Sequence, residues 1–315
     1  MASYANATKI DSIGLSADAK HELITVEVPT SNGKTGTHLH ILDLQNRSLS
    51  PSLAFTHDGN SANGTFNFQM IGRYQDNFYL SRNQTDIIKL PANGSSPASV
   101  VASNVSGYAI VADQLIAARV GFNGEGSTDL YHLPLNQAGA AFSILKSNVA
   151  YSHITQERVY YVQYVFANSE TTTTTGSIKP DGGDELSYPN SLLIGGALAN
   201  QTDRATPFPY TAMDMLLLNF VIIGNQYSGS SLSVVKAASG VAQLPPIAIA
   251  SALPTTLNNM YASSGSRGNT ILGSGLLPGS RTRQLFTLNT ASGKLTLQGS
   301  AHNNADWWSD WIAGR

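Results

Sequence analysis

The sequence predicts an all-β fold built from one repeated unit, and three observations support that prediction. A short apolar run closed by a turn recurs as LHILDLQN, IIKLPANG, LYHLPLNQAG, SVVKAASG and FTLNTASG. The runs are spaced by about fifty residues, and one copy is missing between the third and the fourth. No segment shows a helical apolar period. A strand-rich repeat of about 40 to 50 residues is typical of a β-propeller, whose blades are four-stranded sheets.

Repeats of this length fill the 315-residue chain six times. We therefore expect one six-bladed β-propeller of four-stranded antiparallel blades, at about residues 8–59, 60–105, 106–148, 149–199, 200–251 and 252–301. The tail 302–315 holds all three tryptophans and is expected to pair with residues 8–16, so that the two termini close the ring. Alternatively, one or two of these indoles cover the channel mouth and stack on a ligand.

The individual strands follow from the apolar pattern. The second strand of a blade should be almost continuously apolar, because neighbouring blades bury both of its faces. The segments of this kind are HELITVEV, NFYLSR, QLIAARV, RVYYVQYV, MLLLNFVII and NTILGSGLL. The repeated run is then the third strand. In the fourth unit the Thr-rich segment 168–190 replaces this run, and we expect a long exposed loop there, either a lid over the channel or an insertion without a role.

Composition limits the partners and the chemistry. Charged residues make up 12% of the chain and the net charge is −2, so neither nucleic acid nor an anionic membrane is an expected partner. The absence of cysteine excludes disulfides, thiolate metal sites and cysteine nucleophiles. The longest apolar run, 213–224, is interrupted by Asp214 and Asn219 and is too short for a membrane-spanning helix.

Asn-x-Ser/Thr triplets are frequent, and with few lysines and glutamates they favour a secreted eukaryotic glycoprotein whose signal peptide is absent from this sequence. We therefore expect the protein in the secretory pathway or outside the cell. The alternative is a bacterial extracellular protein in which the triplets have no role. The asparagines that N-linked glycans would occupy are Asn6, Asn46, Asn63, Asn83, Asn93, Asn104 and Asn200.

The innermost strand of each blade lines the channel of a propeller, so its polar and aromatic residues are the candidates for a site. The predicted innermost strands are GTFNFQMIG, VSGYAIVA, VAYSHITQ, PFPYTAMD and LNNMYASSG. The predicted catalytic donors are Tyr108, Tyr151, His153, Tyr210 and Tyr261, and the predicted substrate-binding residues are Phe68, Gln69, Met213, Asp214, Met260 and Trp307.

Each candidate also has a structural interpretation. A repeated tyrosine is suited to packing between blades, and a lone histidine on an inner strand is often a hydrogen-bonded buried imidazole. The sequence contains no HExxH segment and no histidine pair at helical spacing. We therefore expect no metal centre and no cofactor.

The six repeats, the triplets, the absence of cysteine and the segments ADQLIAARV and STDLYHLPL resemble the six-bladed propeller superfamily that includes gluconolactonase-like proteins. Within it the chain is most similar to secreted propellers of fungal natural-product gene clusters. Some of those are hetero-Diels–Alderases that join a tropolone-derived quinone methide to a humulene-type sesquiterpene. The lactonase branch implies a divalent ion held by one Glu, two Asn and one Asp, and the predicted inner strands lack the matching Glu.

The predicted function is that of a secreted, cofactor-independent enzyme converting a hydrophobic natural-product intermediate in the axial pocket. The resemblance implies a hetero-Diels–Alder cycloaddition in terpenoid biosynthesis. Such a reaction needs two apolar partners held in the reacting orientation and a donor that polarises a carbonyl. The alternatives are a glycan- or protein-binding propeller without catalysis and a metal-dependent lactonase. All three tryptophans lie in the tail and no Arg/Glu pair recurs, which counts against one sugar site per blade.

Overall fold

A computed structural model describes most of the chain. The described residues are 6–16, 18–29, 35–51, 68–119, 128–167, 170–198, 212–223, 226–236, 238–242, 245–248, 258–262, 270–276, 283–289, 292 and 294–302. For part of the strands beyond residue 150, only the backbone is described. The chain divides into two compact units, Met1–Lys146 with Asp203–Pro209 and Ser147–Thr202 with Tyr210–Arg315.

The chain begins with two four-stranded antiparallel sheets. Their strands are β1 (Lys9–Leu15), β2 (His21–Pro29), β3 (Thr35–Asp43), β4 (Ser48–Leu49), β5 (Phe68–Tyr74), β6 (Asn77–Arg82), β7 (Asp86–Pro91) and β8 (Ser99–Ser103). The spatial order is β1-β2-β3-β4 in the first sheet and β5-β6-β7-β8 in the second. Each strand therefore pairs with its neighbour in the chain.

A seven-stranded sheet follows. Its strands are β9 (Val105–Val111), β10 (Gln114–Arg119), β11 (Thr128–Pro134), β12 (Ser143–Ile154), β13 (Val159–Ala167), β14 (Glu170–Ile178) and β15 (Leu186–Tyr188). They lie in the order β15-β14-β13-β12-β11-β10-β9. The sheet thus contains two successive four-strand meanders, which share the long strand β12.

Two more four-stranded sheets follow among the described residues. Their strands are β16 (Ser191–Leu198), β17 (Ala212–Ile223), β18 (Gln226–Lys236), β19 (Ile247–Ala248), β20 (Asn258–Ala262), β21 (Thr270–Leu276), β22 (Arg283–Asn289) and β23 (Lys294–His302). Again the strands pair in chain order. Successive four-stranded antiparallel meanders are the blade organisation of a β-propeller, so the predicted all-β fold is confirmed.

The predicted second strands are confirmed as β2, β6, β10, β13, β17 and β21. Their burial explains their composition: residues 23–26 in β2, 78–81 in β6 and 114–118 in β10 are buried without interruption. Strands covered on both faces lose the alternation of apolar and polar residues that a half-exposed strand shows. One core cluster joins β2 and β3 to β5, β6 and β7, with Phe78 and Leu80 fully buried in it.

The first strand of each meander is bulged against the second. The register shifts lie between Ser12 and Gly14, Met70 and Gly72, Ile116 and Ala117, Val149 and Tyr151, Leu193 and Gly195, and Asn258 and Tyr261. A bulge inserts an extra residue, bends the strand and increases its twist. The first strands therefore share a local bend that the apolar pattern does not show.

Two predictions in the middle of the chain are wrong. The Thr-rich segment is not one long loop, because residues 170–178 form β14, the third strand of its meander. The next meander then begins at Ser191 with β16, so PFPYTAMD is not its first strand. Met213 and Asp214 lie on the second strand β17 instead. The β-branched threonines favour a strand, and this effect outweighs the polar composition.

Two further expectations concern the ends and the membrane. Trp307 and the rest of the tail beyond residue 302 lie outside the described residues, so closure of a ring by the termini stays a prediction. In the described part of the chain, no helix has the length and apolarity needed to cross a membrane.

Candidate functional site

His153 is the predicted site residue whose environment is most unusual. It lies near the end of β12, opposite Tyr160 of β13. Its Nε2 atom is buried and has no hydrogen-bond partner among the described residues. Burial lowers the pKa of the His153 imidazole, because the charged form loses its hydration. The side chain is therefore neutral at pH 7 and presents an unused polar atom.

Tyr108 lies on the bulge of β9, between Gly107 and Ala109, which pair with β10 while Tyr108 does not. It is 39% exposed, although partial burial raises the pKa of its hydroxyl. A bulge re-aims a side chain out of the pattern of its strand. Tyr108 therefore has an accessible ring on a first strand, as a ligand contact would require.

Gln69 and Phe68, which are neighbours on β5, differ in their surroundings. Gln69 is exposed. Phe68 is 9% exposed and belongs to the core cluster that also contains Met70 and Phe78. Its ring therefore packs in the hydrophobic core, which leaves little of it to form the wall of a substrate site.

The other predicted residues lie on strands of the second unit or outside the description. Tyr151 is on β12, and Met260 and Tyr261 are on β20, a first strand as predicted. Their backbone is described and their side chains are not. Tyr210 and Trp307 lie outside the described residues. Only Tyr108 and His153 among the predicted donors have described side chains, so the assembly of the donors into one site stays a prediction.

The glycosylation triplets can be placed in the same way. Asn63 and Asn200 lie outside the described residues. The remaining five asparagines are all exposed: Asn6, Asn46, Asn83, Asn93 and Asn104.

Sequence reasoning missed a buried arginine in the second unit. Arg158 is 1% exposed. Its Nε donates to Ser177 Oγ (3.0 Å) and its Nη1 donates to Asp184 Oδ2 (2.7 Å). Its Nη2 donates to the carbonyl oxygens of both residues. These bonds fix β13 to β14 and to the turn that precedes β15, so we assign Arg158 a structural role.

A cavity of about 250 Å³ lies in the first unit, where the β1–β2 and β5–β6 turns meet. Asp18, His21, Arg73 and Asp76 are among its lining residues. Arg73 Nη1 donates to the carbonyl oxygen of Leu15 (2.8 Å), which ties the two turns together. The cavity carries charges of both signs and favours neither anions nor cations.

The described residues contain no group of three or more His, Asp or Glu side chains placed to hold a metal ion. The Asp18 carboxylate instead accepts hydrogen bonds from Ser16 Oγ (2.6 Å) and from the Lys20 backbone amide (3.1 Å). These bonds lower the pKa of Asp18, with the Ser16 hydroxyl as the largest cause.

Comparisons with known proteins give no family. No protein-family model and no curated protein sequence matches the chain. Similar solved structures include one of two prolyl endopeptidases (13% identity, TM-score 0.44, 94% of this chain and 42% of that chain). Another is an oligogalacturonate lyase in complex with manganese (10% identity, TM-score 0.39, 95% of this chain and 80% of that chain). A third is the β-propeller domain of the trilobed protease from Pyrococcus furiosus (9% identity, TM-score 0.34, 90% of this chain and 71% of that chain).

The chain spans less than half the length of the prolyl endopeptidase that it resembles. At TM-scores below 0.5, these similarities assign neither a family nor an activity. A functional assignment therefore depends on the chain's own side chains.

Proposed function

We propose that the protein is a cofactor-independent enzyme that binds an apolar small molecule and polarises it with His153. The observation that supports this proposal is the buried Nε2 atom, which has no partner among the described residues. Leaving a buried polar atom unsatisfied costs about 1–3 kcal/mol. A carbonyl or hydroxyl group of a bound substrate would recover this free energy by pairing with the imidazole.

The neutral state of His153 suits this role. Because burial lowers its pKa, the imidazole at pH 7 can donate one N–H to a substrate oxygen without introducing a charge into an apolar site. A preorganised donor of this kind stabilises charge that develops on a carbonyl in the transition state. Tyr151 lies two positions earlier on the same strand and is the second donor in the proposal.

The reaction that best fits these groups is a cycloaddition, such as a hetero-Diels–Alder reaction in terpenoid biosynthesis. It requires orientation of two apolar reactants, which contributes on the order of 7–11 kcal/mol in favourable cases, and a single carbonyl donor. The proposal includes a six-bladed closed ring whose first strands line the pocket, and secretion of the protein with N-linked glycans on its exposed asparagines.

Substitution of His153 by leucine tests the proposal directly. If Nε2 is reserved for a substrate, His153→Leu removes an unsatisfied polar atom, so the melting temperature should stay the same or rise. Binding of sesquiterpenes, measured by native mass spectrometry against a panel that also contains monosaccharides, should be lost. A lower melting temperature with unchanged sesquiterpene binding would overturn the proposal.

His40→Leu provides the matched control. His40 is fully buried like the His153 Nε2 atom, but its Nδ1 hydrogen-bonds to the Ser50 carbonyl oxygen (2.8 Å). This variant should lose about 1–3 kcal/mol of stability, because the Ser50 carbonyl is left without that partner. Sesquiterpene binding should be retained. Binding of monosaccharides alone by the wild-type protein would support a glycan-binding propeller and would contradict the enzyme.

A further inference from the structure

A chain of side-chain hydrogen bonds crosses three adjacent strands of the first unit. The Ser143 hydroxyl lies 2.8 Å from His132 Nε2. His132 Nδ1 lies 3.1 Å from Gln114 Oε1. Gln114 Nε2 donates to Asp113 Oδ1 (2.9 Å), and Asn136 Nδ2 donates to the second carboxylate oxygen of Asp113.

The carboxylate of Asp113 fixes the donor and the acceptor of every hydrogen bond in this series. It accepts only, so the amide nitrogen of Gln114 must face it and the amide oxygen must face His132. That oxygen also accepts only, so the neutral imidazole of His132 carries its proton on Nδ1. Nε2 is then the unprotonated nitrogen and accepts the hydrogen bond of the Ser143 hydroxyl.

Three residues of this chain lie on neighbouring strands, which hold them in place. Ser143 begins β12, His132 is on β11 and Gln114 begins β10. Gln114 pairs with Pro134 in the register of β10 and β11, so it lies diagonally opposite His132 on the same sheet face. Gln114 is 7% exposed and His132 is half-buried, whereas Ser143 is exposed. The orienting groups are therefore shielded and the hydroxyl is accessible.

We infer that Ser143 is a nucleophile activated by His132, with Gln114 and Asp113 as positioning residues, and that the site hydrolyses small esters. A hydroxyl bonded to an imidazole that a third group orients is the arrangement that activates serine nucleophiles. The inference does not rest on the function proposed above, because it involves other residues and another unit.

The reaction balances without any cofactor. Ser143 Oγ attacks the ester carbonyl carbon, and its proton passes to His132 Nε2. The C–O bond to the leaving group breaks, and the alcohol leaves with that proton. Water then attacks the acyl-serine with His132 as the base, which releases the carboxylic acid and restores Ser143. Because the hydroxyl lies on an open sheet face, esters with good leaving groups, such as aryl acetates, are the expected substrates.

Labelling with a fluorophosphonate, followed by peptide mass mapping, tests the inference. The wild-type protein should form one adduct, at Ser143. Ser143→Ala should abolish it, and His132→Asn should slow it at least about tenfold, since general-base assistance contributes roughly 100-fold or more. Ser99→Ala is the matched control, because Ser99 is an exposed serine on the outer strand β8, and it should leave the labelling rate unchanged.

Two measurements separate activation from folding. Melting temperatures should be equal for Ser143→Ala and wild type, because the hydroxyl is exposed. The rate of 4-nitrophenyl acetate hydrolysis should fall at least about tenfold in His132→Asn, because the general base is lost. No adduct at Ser143, or equal labelling of Ser143 in wild type and His132→Asn, overturns the inference. His153→Leu should label normally, so failure of one proposal is distinguishable from failure of the other.

Discussion

The Tyr188 hydroxyl donates a hydrogen bond to the carbonyl oxygen of Gly240 (3.0 Å), which joins strand β15 to the β18–β19 turn of the next sheet. Because Tyr188 has only one hydroxyl proton, Ser177 Oγ, at 2.9 Å from it, must donate to the phenol oxygen. Tyr160 stacks on Tyr188 (ring centroids 6.3 Å apart, planes at 9°) and donates to the Lys236 carbonyl oxygen (2.9 Å). Two phenol hydroxyls therefore bond to two different carbonyl oxygens at this turn.

Gly240→Ala should destabilise the protein by about 2–4 kcal/mol through two effects. Gly240 has φ +70°, where a side chain costs about 1–2 kcal/mol. An added Cβ would also lie 2.6 Å from Leu186 Cδ1 and 2.7 Å from the Tyr188 hydroxyl oxygen, which adds roughly 1–2 kcal/mol of overpacking. Urea unfolding measures the sum.

Gly182→Ala separates the two effects. Gly182 has φ +88°, and no atom lies within 4 Å of an added Cβ. It should therefore lose only the backbone contribution of about 1–2 kcal/mol. Equal losses in the Gly182 and Gly240 variants would show that the contact with Tyr188 does not limit the space around the turn.

Asp184→Asn should weaken the dependence of stability on acid pH. The hydrogen bond from Arg158 (2.7 Å) lowers the pKa of the Asp184 carboxyl below its ordinary value of 3.8. A lowered folded-state pKa gives stability that is present above the ordinary value and is lost as the pH falls through the lowered one. The free energy of unfolding of the wild type should therefore drop below about pH 4, and that of the variant should drop less.

Asp181→Asn is the control for this titration. Asp181 lies in the same turn and is exposed, but its Oδ1 accepts from the Gly183 amide (2.9 Å) instead of from Arg158. An asparagine oxygen can accept the same bond, so this variant should keep the wild-type free energy of unfolding at pH 7. If Asp184→Asn also keeps it, the ion pair with Arg158 contributes nothing measurable.

The position of a strand in the sequence was predictable wherever burial alone determines its residue types. The second strands, such as 78–81, are buried on both faces and are therefore apolar throughout. The strand 170–178 was not predictable in this way, because its side chains are mostly threonine. Thr175 is 2% exposed, lies opposite Val162, and donates its hydroxyl proton to the Ser191 carbonyl oxygen. A buried threonine is acceptable once such an acceptor exists, and the composition of the segment does not reveal one.

The two candidate sites also differ in whether the sequence alone could predict them. His153 could be selected from sequence, because it lies beside Tyr151 on a predicted innermost strand. The series of hydrogen bonds from Ser143 to Asp113 could not, because Gln114, His132 and Ser143 meet only when β10 and β11 pair in their observed register and β12 lies beside β11. A shift of one residue would move His132 to the opposite face.

Gly107→Ala should destabilise the first unit, and a second substitution should restore part of the loss. An added Cβ at Gly107 would lie 2.2 Å from Ile71 Cδ1, and Ile71 is 1% exposed, so it cannot move aside. Overpacking of this kind costs about 1–3 kcal/mol. Ile71→Val removes Cδ1, and alone it should cost about 0.5–1.5 kcal/mol.

The double variant distinguishes steric conflict from other causes. If the clash with Cδ1 dominates, Gly107→Ala with Ile71→Val should be more stable than the sum of the two single losses predicts, by about 1 kcal/mol or more. Urea unfolding of all four proteins gives this coupling free energy. If the two single losses of stability are simply additive, Ile71 Cδ1 is not the atom that excludes a side chain at Gly107.

His153 should make the protein less stable in mild acid. Burial lowers the pKa of its imidazole below the ordinary 6.5, so between these two pKa values the unfolded chain binds a proton that the folded protein does not. By linkage, the free energy of unfolding falls as the pH drops below about 6.5. His38 and His40 also have lowered pKa values, so the wild-type change alone is ambiguous. His153→Leu isolates the contribution: urea unfolding at pH 7.5 and 5.5 should show a smaller decrease in the variant, whereas an equal decrease would mean that His153 finds a partner for its proton in the folded protein.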